Sequence, residues 1–133
     1  MSKRALKRIP KIIKEVDREE ERLAYLLEKA DSLPTMSTEE RVQSTPKQDS
    51  MIIVDAIADL KDRISKKEYR LKQLIDIAGL IISDSNLSAD GKDLMRFRYV
   101  CGFTWKEVAI IMHYSLRHTL RMHGICLKEL FKK

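Results

Sequence analysis

Two arginines near the end of the chain, Arg117 and Arg121, have the residue type and spacing to bind anionic oxygens. Residues four apart lie on one side of a helix, and a guanidinium can hold two phosphate oxygens or the O6 and N7 atoms of guanine. Leu116, His118 and Leu120 join them outside the expected packing stripe. We interpret these five residues as a surface that can face DNA. Phosphate contact is favoured over base contact for the arginines, and solvated side chains are the alternative.

Cysteine and histidine side chains could support a different chemistry, metal binding or nucleophilic catalysis. Cys101, His113, His118, His123 and Cys126 lie near one another in the sequence, but no two cysteines have the spacing of paired zinc ligands. The chain also has no Gly-rich phosphate loop, no Ser-His-Asp order in a recognisable context and no paired acids. The sequence therefore predicts a protein that is not an enzyme and has no metal or cofactor.

The residues before the arginines predict two further short helices. Ser88 has the position of an N-cap, and Asp90 places a favourable negative charge in the first turn that follows. Leu94, Phe97 and Val100 share one face of this first helix at helical spacing. Together these signals predict a helix that begins after Ser88 and packs by one apolar face.

A turn and two capped helices follow. Gly102 supplies the turn, Thr104 and Glu107 have the spacing of a capping box, and Ser115 is placed to cap the last helix. The inward stripe of that last helix comprises Thr119, Met122, Cys126, Leu127 and Leu130. A short helix that packs across a second, more polar one is the pattern of a helix-turn-helix.

This pattern assigns positions to the candidate contacts. Lys106 begins the supporting helix, where contacts to the DNA backbone commonly fall. Trp105 is predicted to pack at the module surface rather than stack on a base, and His123 to lie further from the groove. The predicted DNA-contacting residues are Thr104, Lys106, Ser115, Leu116, Arg117, His118, Leu120 and Arg121.

The N-terminal part is predicted to hold a long helix from about Pro10 to Asp31. Its seam alternates steps of four and three, as in a coiled coil, and Glu20 fills the one polar gap. Residues 1–9 are expected to form a frayed basic arm or a separate turn of helix, because proline suits a first helical turn. The seam comprises Ile9, Ile13, Val16, Glu20, Leu23, Leu27 and Ala30. A polar linker is predicted over residues 33–48, interpreted as a solvated connector.

A second long helix is predicted from about Asp49 to Ser83. Its seam again alternates by four and three, and Lys67 is the one cation within it, a feature that can select a partner or an oligomeric state. The seam comprises Ile53, Ile57, Leu60, Ile64, Lys67, Leu71, Leu74, Ala78 and Ile81. Two such helices joined by a polar loop predict an antiparallel hairpin, and its small buried area favours a homodimer.

Composition narrows the class of protein. The chain has 133 residues, 35% of them charged, with only 4 Gly and 3 Pro, which favours an all-α fold of long solvated helices. Its net charge is +6, with a basic excess towards the C-terminal end. No segment resembles a membrane span or a signal peptide, and two cysteines without pair-like spacing indicate a reducing cytoplasm. The predicted domains are a helical hairpin over 1–83 and a helix-turn-helix over 86–133.

Residues 94–109 carry a family resemblance. The resemblance is to sigma factor region four, and it rests on Leu94-Met95-Arg96-Phe97-Arg98-Tyr99-Val100, then Gly102 and Glu107-Val108-Ala109. The match extends over about residues 86–131. The whole chain is similar to small phage and prophage regulators related to the ArpU/RinA-like late-operon regulators. The recognition helix departs from the family, because Ser115-Leu116-Arg117-His118 stands where sigma factors usually have Ser-Arg-Glu-Arg. Nothing in the chain resembles sigma region two, so a complete sigma factor is not expected.

The resemblance implies a sequence-specific DNA-binding transcription regulator, an activator of phage late genes, working at the nucleoid in the cytoplasm of a bacterial host. Its partners would be double-stranded DNA, a second copy of the chain and RNA polymerase, with no membrane. Two alternatives remain open. One is a small terminase-like subunit that recognises packaging DNA, and the other is an adaptor that docks on RNA polymerase.

Overall fold

The computed structural model describes residues 1–32 and 44–132, and for residues 44–49 the backbone alone. This described part forms five α-helices and no strand, which confirms the all-α prediction. The helices are α1 (Lys3–Asp31), α2 (Ser44–Asp84), α3 (Ala89–Tyr99), α4 (Trp105–Met112) and α5 (Leu116–Leu130). Within the described residues, no helix combines the length and the apolar character needed to cross a membrane.

Helix α1 begins seven residues before Pro10 and continues through it, so the prediction of a frayed basic arm or a separate turn of helix is wrong. Proline inside a helix lacks the N–H for one hydrogen bond and costs about 3 kcal/mol. The preceding turn is nevertheless held, because Leu6 and Ile9 are 2% and 0% exposed. Burying two such side chains contributes about 1.5–3 kcal/mol each, which offsets the cost.

Helix α2 begins at Ser44, so residues 44–48 of the predicted linker belong to the helix. Pro46 lies in its first turn, where the backbone N–H has no partner within the helix in any case. The observed end at Asp84 agrees with the predicted end at Ser83, since helix ends vary by a residue or two. The remainder of the predicted linker, 33–43, lies outside the described residues.

The described chain divides into two compact units, which we call unit 1 and unit 2. Unit 1 contains Met1–Lys14 and Tyr69–Lys133, and unit 2 contains Glu15–Glu68. This division differs from the predicted boundary at 83–86, because each long helix contributes one part to each unit. Apolar burial explains the difference: Leu6 and Ile9 of α1 share a core cluster with Ala78 and Ile82 of α2 and with residues of α3, α4 and α5.

Unit 1 has a core to which all five helices contribute. On α3 the fully buried side chains are Leu94, Met95 and Tyr99, whereas Phe97 and Val100 are only partly buried. The predicted α3 face is therefore right for Leu94 and wrong in part, because Met95 and Tyr99 are buried more completely than Phe97 and Val100, and Tyr99 faces His123 of α5. The buried cluster comprises Leu6, Ile9, Ala78, Ile82, Leu94, Met95, Tyr99, Val108, Cys126 and Leu127.

Unit 2 consists of one segment of α1 and one of α2. No residue of the predicted α2 seam within it is exposed, and Leu60 and Ile64 are buried. On α1 the polar seam position is Glu19, which is 6% exposed, whereas the predicted Glu20 is exposed. A salt bridge explains the correction, because Lys67 Nζ lies 2.9 Å from Glu19 Oε1.

Candidate nucleic-acid interface

Helix α4 begins with a complete capping box, as predicted. The Thr104 hydroxyl accepts the N–H of Glu107, and the Glu107 carboxylate accepts the N–H of Thr104, both at 3.2 Å. Reciprocal bonds of this kind satisfy two donors that a helix start otherwise leaves free. The Thr104 hydroxyl proton remains available, and Lys106, the second residue of α4, is exposed in its first turn. Both predicted contacts on α4 therefore lie at an exposed helix start.

The connection from α4 to α5 is a tight turn centred on His113. His113 has φ 60° and ψ 37°, a left-handed conformation that residues other than glycine adopt infrequently. Its N–H and that of Tyr114 donate to carbonyls of the last turn of α4, so the helix end is satisfied within the turn. Ser115 then caps α5 by accepting the N–H of His118 at 3.1 Å. The start of α5 is thus fixed by hydrogen bonds on both sides of the turn.

Helix α5 buries three of the five predicted stripe residues, leaves Met122 and Leu130 partly buried, and exposes the predicted contacts. Thr119, Cys126 and Leu127 are buried, and Thr119 is fully so, with its hydroxyl donating to the Ser115 carbonyl at 2.9 Å. Arg117 and Arg121 are exposed on the opposite side. Five predicted contacts of α5 are therefore exposed together over its first two turns: Leu116, Arg117, His118, Leu120 and Arg121.

The arginine face of α5 continues into residues that sequence reasoning did not select. Gly124 follows Arg121 by three residues and Lys128 follows Gly124 by four, which keeps all three on one side of the helix. A Cβ added at Gly124 would meet no atom within 4 Å. Packing within the chain therefore does not explain a glycine here, which costs roughly 0.5–1 kcal/mol in a helix relative to alanine. The spacing from Arg121 is the sequence signal that indicates Lys128.

His118 is held by the turn that precedes it. Its ring meets that of Tyr114 edge to face, with centroids 4.6 Å apart. The Tyr114 hydroxyl donates to Asp90 Oδ2 at 3.4 Å, which connects the turn to the start of α3. Desolvation, followed by the charge of this carboxylate and its hydrogen bond, raises the pKa of Tyr114. These contacts orient an exposed imidazole beside the two arginines.

His123 lies on the packed side of α5, away from the arginines, as predicted. Its Nε2 atom is 2.6 Å from the Tyr99 hydroxyl, and its ring lies 4.3 Å from that of Trp105. Arg98 covers Trp105 at 4.6 Å, a cation–π contact. Burial lowers the pKa of His123 to about 4, with the charges of Lys7, Arg98 and Lys3 adding to the effect. Burial also raises the pKa of Tyr99 to about 12, so near neutral pH the hydrogen bond joins an uncharged phenol and an uncharged imidazole.

Sequence reasoning missed one more charged surface, on the first turns of α1. Lys3, Arg4, Lys7, Arg8 and Lys11 are exposed and line a single groove of about 460 Å³. The signal is present in the sequence, since no Asp or Glu occurs before Glu15. Averaging the charge over residues 1–83 conceals it, because the acids of the later helix segments balance these cations.

Comparison with known proteins gives no relative. A scan against protein-family models finds no match, and searches of curated proteins and of solved structures find none either.

Proposed function

We propose that the protein is a sequence-specific DNA-binding transcription regulator in which α4 and α5 act as a helix-turn-helix. The observation that carries the proposal is the geometry of α5. Its N-terminus is capped by Ser115, its buried stripe packs on α3 and α4, and the side that carries Arg117 and Arg121 is free of the core. A helix that is packed on one side and carries arginines on its exposed side is the kind of element that enters a major groove.

The exposed groups match the chemistry of a DNA surface. Neither Arg117 nor Arg121 forms an ion pair with any residue in the described ranges, so both guanidinium groups can bind phosphate or guanine. The Thr104 and Ser115 hydroxyls accept backbone N–H groups and still carry a proton that can be donated to a phosphate oxygen. The open space at Gly124 would let a DNA backbone approach α5 closely.

We further propose that two copies place their α5 helices in successive major grooves. Unit 2 supports pairing, because Met51, Ile52 and Val54 are each 60% exposed or more on a two-helix segment. Such a segment buries little apolar area by itself. The resemblance to the ArpU/RinA-like late-operon regulators supports a role in activating phage or prophage late genes in the bacterial cytoplasm. The resemblance to sigma region four supports RNA polymerase as a further partner.

The test is selection from a random-sequence duplex library at about 150 mM salt, where non-specific electrostatic binding is weak. We expect the wild-type chain to enrich one motif. The double variant Arg117→Ala/Arg121→Ala should lose at least tenfold in affinity for it, since each good base contact contributes about 1–3 kcal/mol of discrimination. A matched control, Lys61→Ala/Arg70→Ala, removes two exposed cations from α2 and should select the same motif.

Two outcomes would count against the proposal. Failure of the wild-type chain to enrich any motif would favour an adaptor that docks on RNA polymerase. An unchanged motif and affinity in the arginine variant would show that α5 does not read DNA. The molar mass measured by light scattering adds a separate check, because a ring larger than a dimer would favour the terminase-like alternative.

A further inference from the structure

The first fourteen residues have the highest density of positive charge in the protein. They contain six Lys and Arg and no Asp or Glu, and the rest of the chain contains 20 Lys and Arg and 20 Asp and Glu. This segment therefore carries a charge of +6, whereas residues 15–83 carry −4 and residues 84–133 carry +4, so the positive charge is densest at the start of the chain and not at the C-terminal end. Such a concentration is an electrostatic footprint that attracts polyanions.

The structure holds this segment as a rigid, two-sided helix within unit 1. Leu6, Ile9 and Ile12 are buried at 2%, 0% and 5% exposure, which anchors the apolar side of α1. The side opposite carries what we call the basic face: Lys3, Arg4, Lys7, Arg8 and Lys11, all exposed. Because the apolar side is buried, all five cations of the basic face point away from the core of unit 1.

The positions of these five cations on α1 are electrostatically unfavourable within the chain. Lys3 and Arg4 occupy the first turn of a helix, whose positive dipole end disfavours cations. Like charges three or four residues apart, such as Arg4 and Lys7 or Lys7 and Lys11, repel by a few tenths of a kcal/mol per pair. None of the five forms an ion pair with another residue in the described part of the chain. A bound anion would reduce both the repulsion between these cations and their unfavourable interaction with the helix dipole.

We propose that the basic face of α1 is a second phosphate-binding surface for double-stranded DNA. The proposal rests on the proposed function of α5 and adds to it a contact that does not depend on base sequence. From Arg4 to Lys11 the helix rises about 10 Å, and DNA presents a phosphate about every 3.4 Å of axis on each strand. The basic face therefore has the length to contact roughly three phosphates.

The position of the basic face within unit 1 supports this role. Lys3 and Lys7 lie close enough to His123 for their charges to lower its pKa, so this end of α1 lies beside α5. Gly102, in the turn before α4, has φ +78°, and a Cβ there would lie 3.1 Å from Ile13 of α1. These observations place the first turns of α1 in the same unit as α5, on the side of α5 that carries His123, so the basic face would contact phosphates outside the groove that α5 enters.

An anionic membrane is the other polyanion that attracts basic amphipathic helices, and the burial pattern argues against it. A helix that lies in a membrane interface inserts its apolar side among the lipids. Here that side is already occupied, because Leu6 and Ile9 are buried in the core of unit 1. Only the charges remain for an external partner, and they suit a phosphate backbone.

The experiment measures the salt dependence of binding to a random 30-base-pair duplex and to the selected motif, over about 50 to 200 mM salt. The variant is Arg4→Gln/Lys7→Gln/Lys11→Gln. Its matched control, Lys61→Gln/Arg70→Gln/Lys72→Gln, removes the same number of exposed charges from α2. We expect the α1 variant to reduce the salt slope by about 2 to 3, since each phosphate contact contributes about 0.9. Affinity for both duplexes should fall by the same factor, and the control should change neither.

The α1 variant should remain folded, because it removes like-charge neighbours and leaves the buried residues intact, and circular dichroism checks this. An unchanged slope in the α1 variant, or an equal loss in the control, would overturn the inference. If motif selection still depended on Arg117 and Arg121 in that case, the proposed function would stand. The reverse result, with a lost slope in the α1 variant and unchanged selection in the arginine variant, would support the basic face and remove the role of α5. Binding to phosphatidylserine vesicles in preference to duplex would overturn the inference in favour of a membrane.

Discussion

Units 1 and 2 are built from the same two long helices, yet they differ in how completely they bury their side chains. The largest fully buried side chains, Leu6, Ile9, Ile82, Leu94, Met95, Tyr99, Val108 and Thr119, all belong to unit 1. In unit 2 the most buried residues are Val16, Glu19 and Leu60 at 6% and Ile64 at 8%. Complete burial is thus confined to the unit where α3, α4 and α5 pack with the long helices.

The difference shows what a pair of helices can achieve. Each helix of a pair can cover only one stripe of the other, so the flanks of both stripes remain accessible. A polar pair can then occupy the seam, as Glu19 and Lys67 do, because the Lys67 side chain is still 34% exposed. Three additional helices close the flanks in unit 1, and its core admits few charged groups. We expect the two units to respond differently to the same kind of perturbation.

The largest effect on the free energy of unfolding is expected when one buried leucine in each unit is replaced by alanine. Leu94→Ala removes a side chain of 0% exposure from the unit 1 core and should cost about 3–5 kcal/mol of unfolding free energy. Leu60→Ala removes the same atoms from unit 2 and should cost about 2 kcal/mol, since the thinner seam can relax around the cavity. Urea unfolding measures both, with Trp105 fluorescence reporting on unit 1 and far-ultraviolet circular dichroism on both units.

The two probes also show whether the units unfold together. Leu60→Ala should lower the dichroism midpoint more than the Trp105 midpoint, because the only tryptophan belongs to unit 1. Equal shifts of both midpoints in both variants would mean one cooperative transition and would contradict the distinction between the units.

A smaller effect is expected from the polar pair of unit 2. Lys67→Ala leaves the Glu19 carboxylate buried at 8% side-chain exposure, with its Oε2 atom already lacking a partner among the described residues. The dichroism midpoint in urea should therefore fall, but by less than in Leu94→Ala. In Glu19→Leu/Lys67→Leu both charges are replaced by apolar groups, and stability should return to or exceed that of the wild type.

The double variant decides between the two interpretations of Lys67. If it is as stable as the wild type but changes the oligomeric state, the cation selects a partner, as the sequence suggested. If it changes neither, Lys67 serves only to neutralise Glu19 within the chain.

The smallest effect is a dependence of the stability of unit 1 on pH. The pKa of His123 is lowered from an ordinary 6.5 to about 4, so the unfolded chain binds a proton between these values and the folded chain does not. The contribution of the neutral His123 to the free energy of unfolding should therefore be fully present above about pH 6.5 and be lost as the pH decreases towards 4. The expected loss between pH 7 and pH 5 is about 1 kcal/mol, reduced from the full shift because the ring is partly exposed to water.

His123→Gln provides the control, because glutamine can accept the Tyr99 hydrogen bond and does not titrate. The free energy of unfolding of the wild type minus that of the variant, followed by Trp105 fluorescence, should increase by about 1 kcal/mol as the pH rises from 5 to 7. A difference that is constant over this range would show that His123 is not desolvated as the structure indicates.

Local signals in the sequence predicted the helices and most of the candidate interface. Ser88, Thr104 and Ser115 were predicted as caps and are caps, because a capping bond involves residues only three apart. The exposed contacts of α5 were predicted for the same reason, since a helical stripe that includes Thr119 and Leu127 leaves the arginines on the other side. The phase of α3 was not predictable in this way, because Phe97 and Tyr99 are both apolar and only their neighbours decide which one is buried.

The sequence by itself determined an all-helical chain, its caps and turns, and the face of α5 that stays exposed, since these follow from interactions within a few residues. Tertiary structure alone decided that the first turns of α1 are a rigid helix with a basic face. Nothing local favours helix across Pro10 or among five cations, and the helix forms there because Leu6 and Ile9 are buried against residues more than sixty positions away. Tertiary packing also decided that Glu19 rather than Glu20 meets Lys67, because two adjacent glutamates are distinguished only by the partner that one of them faces.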